Sequence, residues 1–142
     1  MVSPSITKGG NPMSVELSIL MWSGVLLLVL ILTSANANLM SMGLSWGLGN
    51  RDDAATPPAW GARAKRAYMN LLENLLVFAA ILLPVSLSGI SNDMTVLGAQ
   101  IFLGARIVHA LVYVTGVTLL GIRTLAYFAG IAGTVIILLQ AL

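Results

Sequence analysis

Residues 63–73 read Arg-Ala-Lys-Arg-Ala-Tyr-Met-Asn-Leu-Leu-Glu, and the ten residues that follow, Asn-Leu-Leu-Val-Phe-Ala-Ala-Ile-Leu-Leu, carry no charge. Basic residues therefore lead, without a turn signal, into one of the most apolar segments of the chain. If this stretch is helical, Arg66, Asn70 and Glu73 lie on one face, with Glu73 about 10 Å deeper than Arg66. An ionisable side chain at that depth in a membrane needs a polar partner, so the stretch predicts a functional site within a bilayer.

The composition of the whole chain is that of a membrane protein. Of its 142 residues, 58% are hydrophobic and 8% are charged, whereas about a quarter of the residues in a soluble domain are charged. A spanning helix needs about 20 mostly apolar residues, so the length allows four such helices with short connections. The net charge of +2 is too small to indicate nucleic-acid binding. Cysteine is absent, so any reacting thiol must come from a ligand.

The apolar runs and the turn signals between them define the expected elements. We predict an all-α bundle over residues 14–142 in which four helices span the membrane, at about 14–42, 59–87, 94–117 and 123–142. Residues 1–13 contain two prolines and two glycines and predict a flexible tail, with Met13 as an alternative first residue. A secretory signal peptide, with Lys8 as its basic region and residues 35–37 as its cleavage site, is a competing interpretation. The apolar run is long for a signal peptide, which favours a spanning helix.

The basic residues are concentrated on one side of the predicted bundle. That side includes the connection between the first two helices and the connection between the last two, and it carries five of the seven basic residues, namely Arg51, Arg63, Lys65, Arg66 and Arg123. The positive-inside rule therefore places both connections in the cytoplasm and both chain termini outside. We interpret Arg63 and Lys65 as interfacial anchors whose charged ends reach the membrane surface.

A second polar stripe lies in the predicted third helix. Arg106, His109 and Tyr113 are spaced i, i+3 and i+7, which places them on one face. Arg106 and Glu73 lie at overlapping depths, and neither stays charged alone in hydrocarbon without a cost of several kcal/mol. We therefore predict a structural ion pair between them. The alternative is that these polar side chains only hold the helices together.

The remaining basic residues indicate a small anionic ligand at the cytoplasmic mouth. Once the ion pair has formed, Arg66 and Arg123 are still without a partner, and Tyr113 and Tyr127 lie within reach of them. Arginine binds carboxylates through two parallel hydrogen bonds, and asparagine or tyrosine can fix an amide between them. A single histidine without cysteine provides no metal-ligand cluster, so we predict no metal.

Two blocks of sequence carry a family resemblance. Residues 66–74, Arg-Ala-Tyr-Met-Asn-Leu-Leu-Glu-Asn, fit the pattern Arg-x-x-x-Asn-x-x-Glu, and residues 106–113 and 123–127 fit Arg-x-x-His-x-x-x-Tyr and Arg-Thr-x-x-Tyr. In these blocks, and in the hydropathy of the whole chain, the sequence resembles the MAPEG family, the membrane-associated proteins in eicosanoid and glutathione metabolism. That family includes microsomal glutathione transferases and a prostaglandin E synthase.

The resemblance implies a homotrimer of four-helix subunits in the lipid bilayer of a bacterial inner membrane, with glutathione bound between neighbouring subunits as the cosubstrate. It implies a glutathione transferase or peroxidase that acts on small hydrophobic electrophiles. Arg123 and Thr124 would be catalytic, because a fixed positive charge beside a thiol of pKa about 8.5 favours the thiolate. The residues that would contact or shape the glutathione site are Arg51, Arg66, Asn70, Glu73, His109, Tyr113 and Tyr127.

The chain departs from the family pattern in two places. Family members carry a basic residue near the cytoplasmic end of the first helix, where this chain has Asn36 and Asn38, and the nearest arginine is Arg51 in the loop. The segment between Tyr113 and Arg123 is about one residue longer than in the prostaglandin synthase. The family also contains a non-enzymatic, lipid-binding member, so a non-catalytic binding scaffold of the same fold is the alternative function.

Overall fold

The structure is a computed structural model that describes residues 12–118 and 121–142. In this part of the chain there are five α-helices: α1 (Val15–Met42), α2 (Leu44–Leu48), α3 (Ala59–Leu87), α4 (Asp93–Thr115) and α5 (Ile122–Leu139). The helices α1, α3, α4 and α5 are the four predicted spanning helices, and the prediction of an all-α membrane bundle is confirmed. Residues 1–11, which include most of the predicted tail and Lys8, lie outside the described residues.

The four long helices are long and apolar enough to cross a membrane. The shortest, α5, has 18 residues and is therefore about 27 Å long, close to the ~30 Å thickness of the hydrocarbon core. Large apolar side chains such as Leu76, Leu125 and Leu139 are exposed on the outside of the bundle. An apolar exterior of this kind suits contact with lipid rather than with water.

Local sequence signals set the ends of the helices. Ser14 caps α1 by accepting a hydrogen bond from the backbone nitrogen of Leu17 at 3.3 Å. Asn92 caps α4 in a capping box with Thr95. Gly116 ends α4 with a φ of 76°, a left-handed conformation that glycine adopts without strain.

The connection between α1 and α3 contains a short helix that the sequence analysis did not predict. Helix α2 has only five residues and leads towards Arg51, whose φ of 58° lies in the left-handed region. The Nε and Nη2 atoms of Arg51 donate hydrogen bonds to the Gly47 carbonyl at 3.3 and 3.1 Å. Trp46 Nε1 donates to the Asp53 carbonyl at 2.9 Å. The segment therefore folds back on itself instead of extending away from the bundle.

Hydrogen bonds show which helix ends lie together. Ser91 and Thr95 donate to Glu16 Oε1 at 2.8 and 2.6 Å, and Asn92 donates to Gln140 at 3.2 Å. These contacts join the start of α1, the α3–α4 turn and the end of α5 at one end of the bundle. The opposite end, which we call the basic end, contains α2 and the connection between α4 and α5.

The bundle is packed most closely where α4 meets α5. A Cβ atom at Gly98 would lie 2.6 Å from the Gly133 carbonyl oxygen, and a Cβ atom at Gly133 would collide with the Gly98 carbonyl oxygen. Only hydrogen on these Cα atoms permits such an approach of two backbones. On the other side of α4, Phe102 stacks on Phe78 of α3 with ring centroids 3.9 Å apart. Helix α4 is thus fixed between α3 and α5.

Candidate functional site

Six of the predicted site residues line one pocket of about 230 Å³ at the basic end of the bundle. Helix α3 contributes one of them, α4 two and α5 three: Asn70, His109, Tyr113, Arg123, Thr124 and Tyr127. The residues come together because each helix carries its polar side chains at helical spacing, so they share one face. The pocket includes both of the predicted catalytic residues.

Tyr113 lies between two guanidinium groups in this region. The Cζ atom of Arg123 is 5.0 Å from the centre of the Tyr113 ring, and that of Arg66 is 5.9 Å from it. Both arginines are exposed, and in residues 12–118 and 121–142 no carboxylate lies within ion-pair distance of either. The ring face attracts each cation, but the two positive charges repel each other. An anion bound at the rim would relieve that repulsion.

His109 and Tyr127 form the inner part of the pocket. His109 is buried, and its ring centroid is 5.5 Å from that of Tyr113. Tyr127 is partly buried, and the Arg106 guanidinium lies 5.4 Å from the centre of its ring. The pocket is therefore polar at its mouth and aromatic on its walls, with a buried positive charge behind one wall.

The partners of Arg106 differ from those predicted. Its Nη1 donates to Asn70 Oδ1 at 3.3 Å, and its Nη2 donates to Asn74 Oδ1 at 3.0 Å and to the Tyr127 carbonyl at 3.3 Å. Glu73 is exposed and does not pair with Arg106 in the described part of the chain. The predicted ion pair is therefore absent from a single chain. The reason is geometric, because Asn70 and Asn74 lie one turn apart and face α4, whereas Glu73 points to the side.

Arg106 is nevertheless almost completely buried, with 2% of its surface exposed. Besides its three hydrogen bonds, its guanidinium lies 5.3 Å from the centre of the Phe102 ring. Its Nε atom is buried without a hydrogen-bond partner. A side chain at Gly130 would collide with the guanidinium, since a Cβ atom there would lie 2.7 Å from Nε. Amide oxygens and aromatic faces thus stabilise this charge and link α3, α4 and α5 behind the pocket.

A mostly apolar groove of about 330 Å³ runs between α3 and α5 beside the pocket. Its polar end is formed by Glu73, Asn74 and Tyr127, and its apolar part mainly by Val77, Ile81, Ile131 and Val135. Tyr127 lines both the groove and the pocket, so the two adjoin. Glu73 is the fifteenth of the 29 residues of α3, which places its exposed carboxylate near the middle of a spanning helix. A carboxylate that faced lipid at that depth would be energetically costly.

Arg51 lies in a different place from the other predicted glutathione contacts. It lines a separate pocket of about 230 Å³ with Asn38, Trp46 and Tyr68, between α1, α2 and α3. Its Cζ atom is 5.3 Å from the centre of the Trp46 ring. The fold of the loop therefore returns a basic residue to the end of α1, where the sequence offers only asparagines. Within one chain the predicted site residues are distributed over two separate pockets and the adjoining groove, where Glu73 lies, while Arg66 is exposed beside Tyr113.

Sequence reasoning missed two residues around the site. The motif predicts no role for Asn74, although its i+4 spacing from Asn70 is a signal that both can face one partner. For Arg63 the sequence predicts an interfacial anchor, whereas its Nε donates to the Val114 carbonyl at 3.0 Å. No sequence signal could have identified this contact, because its acceptor is a backbone atom 51 positions away.

Comparisons with known proteins agree with the resemblance noted from the motifs. Residues 19–142 match the sequence profile of the MAPEG family. Over 68 residues the chain is 40% identical to microsomal glutathione S-transferase 1 of Homo sapiens, and 41% identical to those of Sus scrofa and Rattus norvegicus. The aligned region is 48% of this chain and 43% of each relative, so less than half of each relative's length is matched.

No solved structure matches the chain significantly. The family profile, in contrast, extends from the first turns of α1 to the last residue and includes every residue of both pockets. On the extent of that match, this chain is a member of the MAPEG family.

Proposed function

We propose that this protein is a membrane-bound glutathione-dependent transferase or peroxidase that activates the glutathione thiol for attack on lipophilic electrophiles. The observation that carries the proposal is the pocket at the basic end, where Arg123 and Thr124 lie next to Tyr113 and its second cationic neighbour, Arg66. Membership of the MAPEG family supports glutathione as the ligand, and the matched relatives are named glutathione S-transferases.

Arg123 and Thr124 supply the chemistry that thiol activation needs. A fixed positive charge lowers the pKa of a nearby thiol, because it stabilises the thiolate and not the neutral form. The thiolate is the nucleophile, and the Thr124 hydroxyl can donate a hydrogen bond to it. In a transfer reaction the thiolate forms a C–S bond, and the leaving group departs with its electron pair. With a hydroperoxide, the thiolate attacks the terminal oxygen, the O–O bond breaks, and the alkoxide departs and is protonated to the alcohol. The glutathione sulfenic acid formed in this step then reacts with a second glutathione to give the disulfide and water.

The rest of the glutathione molecule has matching partners in the chain. Its two carboxylates suit the exposed guanidinium groups of Arg66 and Arg51, since arginine forms paired hydrogen bonds with a carboxylate. The exposed carboxylate of Glu73 suits its ammonium group. Asn70 offers an amide to the peptide groups, and Tyr113, Tyr127 and His109 shape the cavity walls.

A homotrimer would unite the two pockets of the divided site. Arg51 lines its own pocket on one side of the chain, while Arg123 lines the pocket formed by α3, α4 and α5. If neighbouring subunits share glutathione, Arg51 of one subunit can bind a carboxylate of the glutathione whose sulfur lies at Arg123 of the next. The same contact would cover Glu73, whose carboxylate would otherwise face lipid. The positive-inside rule places this shared site at the cytoplasmic face.

The groove between α3 and α5 suits the acceptor substrate. Its apolar part extends from Glu73 towards the end of the bundle opposite the basic end, and Tyr127 links it to the thiol pocket. A hydrophobic electrophile that partitions into the membrane would enter along this groove with its reactive group towards Arg123. The proposed membrane location is thus explained by the substrate, since such molecules are concentrated in lipid rather than in water.

The first test is equilibrium binding of glutathione to the detergent-purified protein, with the oligomeric mass measured in the same sample. We expect saturable binding to a trimer, and loss of that binding in Arg66→Ala. Lys65→Ala is the matched control. Lys65 is the neighbouring residue, its side chain is also exposed, and its replacement removes the same charge. Absence of binding to an intact trimer would refute the proposal and favour the alternative, a non-catalytic membrane scaffold that binds a lipid or another ligand.

A further inference from the structure

Arg63 caps the C-terminal end of a helix other than its own. Its Nε atom, on α3, donates a hydrogen bond to the Val114 carbonyl in the last turn of α4 at 3.0 Å. Carbonyl groups in the last turn of a helix have no donor within the helix, and they carry the negative end of the helix dipole. A guanidinium therefore satisfies both the hydrogen-bonding capacity and the partial charge of this helix end.

The guanidinium of Arg63 occupies a space that only glycine leaves open. A Cβ atom at Gly116 would lie 2.9 Å from Arg63 Cζ and 3.1 Å from its Nε. The backbone nitrogen of Gly116 donates to the Tyr113 carbonyl at 3.3 Å, so the cap residue and the turn before it form one unit. Arg63 thus contacts this unit twice, through the Val114 carbonyl and along the Gly116 backbone.

The turn that Arg63 holds is the one that carries Tyr113. Tyr113 immediately precedes Val114, and its ring is the surface on which the Arg123 guanidinium rests, 5.0 Å from the ring centre. A shift of this turn relative to α3 would move the ring, and with it the position of the Arg123 charge. Arg63 does not itself line the pocket, and its contacts with the last turn of α4 connect it to Tyr113.

We propose that Arg63 is a positioning residue: by capping the last turn of α4, it fixes the Tyr113 ring that supports Arg123, and so determines how strongly the site stabilises the thiolate. This inference rests on the proposed function, which assigns the thiolate to Arg123. The positioning role is different from interfacial anchoring. Lys65, on the same turn of α3, could serve as an anchor but does not contact α4 through a hydrogen bond in the described residues.

The test compares Arg63→Ala with Lys65→Ala in the detergent-solubilised oligomer. We expect the KM of Arg63→Ala for glutathione to stay within about threefold of the wild-type value, and its kcat for chlorodinitrobenzene to fall about tenfold. This loss is smaller than the ~10²-fold that a 1 Å misplacement can cause. The ultraviolet absorbance of the bound thiolate should titrate at higher pH, because a displaced positive charge stabilises the thiolate less. Lys65→Ala should match the wild type, and Arg63→Lys should recover part of the shift.

A second pair of variants tests the same contact while Arg63 stays in place. Gly116→Ala would displace the guanidinium, whereas Gly89, in the α3–α4 turn at the opposite end of the bundle, has the same φ of 76° but open space around its Cβ position. We expect the thiolate titration to shift more in Gly116→Ala than in Gly89→Ala. This pair decides the question if Arg63→Ala does not assemble.

The results separate the failure of this inference from the failure of the proposed function. If Arg123→Ala moves the titration but Arg63→Ala behaves like Lys65→Ala, the positioning role is wrong and the thiolate mechanism stands. An equal shift in Gly116→Ala and Gly89→Ala would also overturn the positioning role. If Arg123→Ala itself titrates like the wild type, the proposed function is wrong.

Discussion

The close approach of α4 and α5 leads to a quantitative prediction for Gly133→Ala. The added methyl group would lie 2.9 Å from the Phe102 backbone nitrogen and would collide with the Gly98 carbonyl oxygen. Both neighbours are backbone atoms, so the helices must separate, and overpacking of this kind costs about 3 kcal/mol. Replacement of a helical glycine by alanine returns about 1 kcal/mol through helix propensity. We therefore expect a net loss of about 2 kcal/mol.

Gly104→Ala is the matched control for this measurement. Gly104 lies on the same helix, α4, and no atom lies within 4 Å of its Cβ position, so only the propensity gain of about 1 kcal/mol applies. The assay is reversible unfolding in mixed micelles, followed by circular dichroism, for the two variants and the wild type. The free energies of unfolding should differ by about 3 kcal/mol between the variants. Equal stabilities would show that α4 and α5 are not packed backbone to backbone.

Three further predictions concern the site and the opposite end of the bundle. Arg123→Ala should lower kcat by about 10²-fold and move the rise of rate with pH to higher pH, because the thiolate loses its stabilising charge; glutathione binding should largely remain. Asn74→Ala should reduce the free energy of unfolding by about 2 kcal/mol, since it removes an acceptor from the buried Arg106. Glu16→Ala should cost about 2 kcal/mol because the buried Thr95 hydroxyl and the exposed Ser91 hydroxyl lose their acceptor, without a change in glutathione affinity.

Each of these predictions has a clear contrary result. Normal turnover in Arg123→Ala would refute the thiolate mechanism. For Asn74→Ala, wild-type stability would show that its contact with Arg106 at 3.0 Å contributes nothing. A change in glutathione affinity in Glu16→Ala would mean that the two ends of the bundle are coupled and not independent. Turnover is measured with a lipophilic electrophile, and stability by the unfolding assay used for Gly133→Ala.

The four spanning helices could be predicted from sequence because a membrane leaves few alternatives. Backbone groups in hydrocarbon must be paired within the segment, so an apolar run of sufficient length forms a helix. The gathering of Asn70, His109 and Tyr113 in one pocket was equally predictable, since helical spacing assigns side chains to a face. Helix α2 was missed because five residues with glycines on both sides have no recognisable period.

Hydropathy and helical periodicity are sufficient to predict four membrane-spanning helices and polar stripes on α3 and α4 that face a common region. The partners of each polar group depend instead on how the helices pack. Periodicity identifies a face but not the neighbour it meets, so Arg106 is held by Asn74, one position beyond the carboxylate that charge alone suggested. The contact between Arg63 and α4 is still harder to predict from sequence. Its acceptor is a backbone carbonyl, a group that every residue has, and only the packing of the helices brings this one within reach of Arg63.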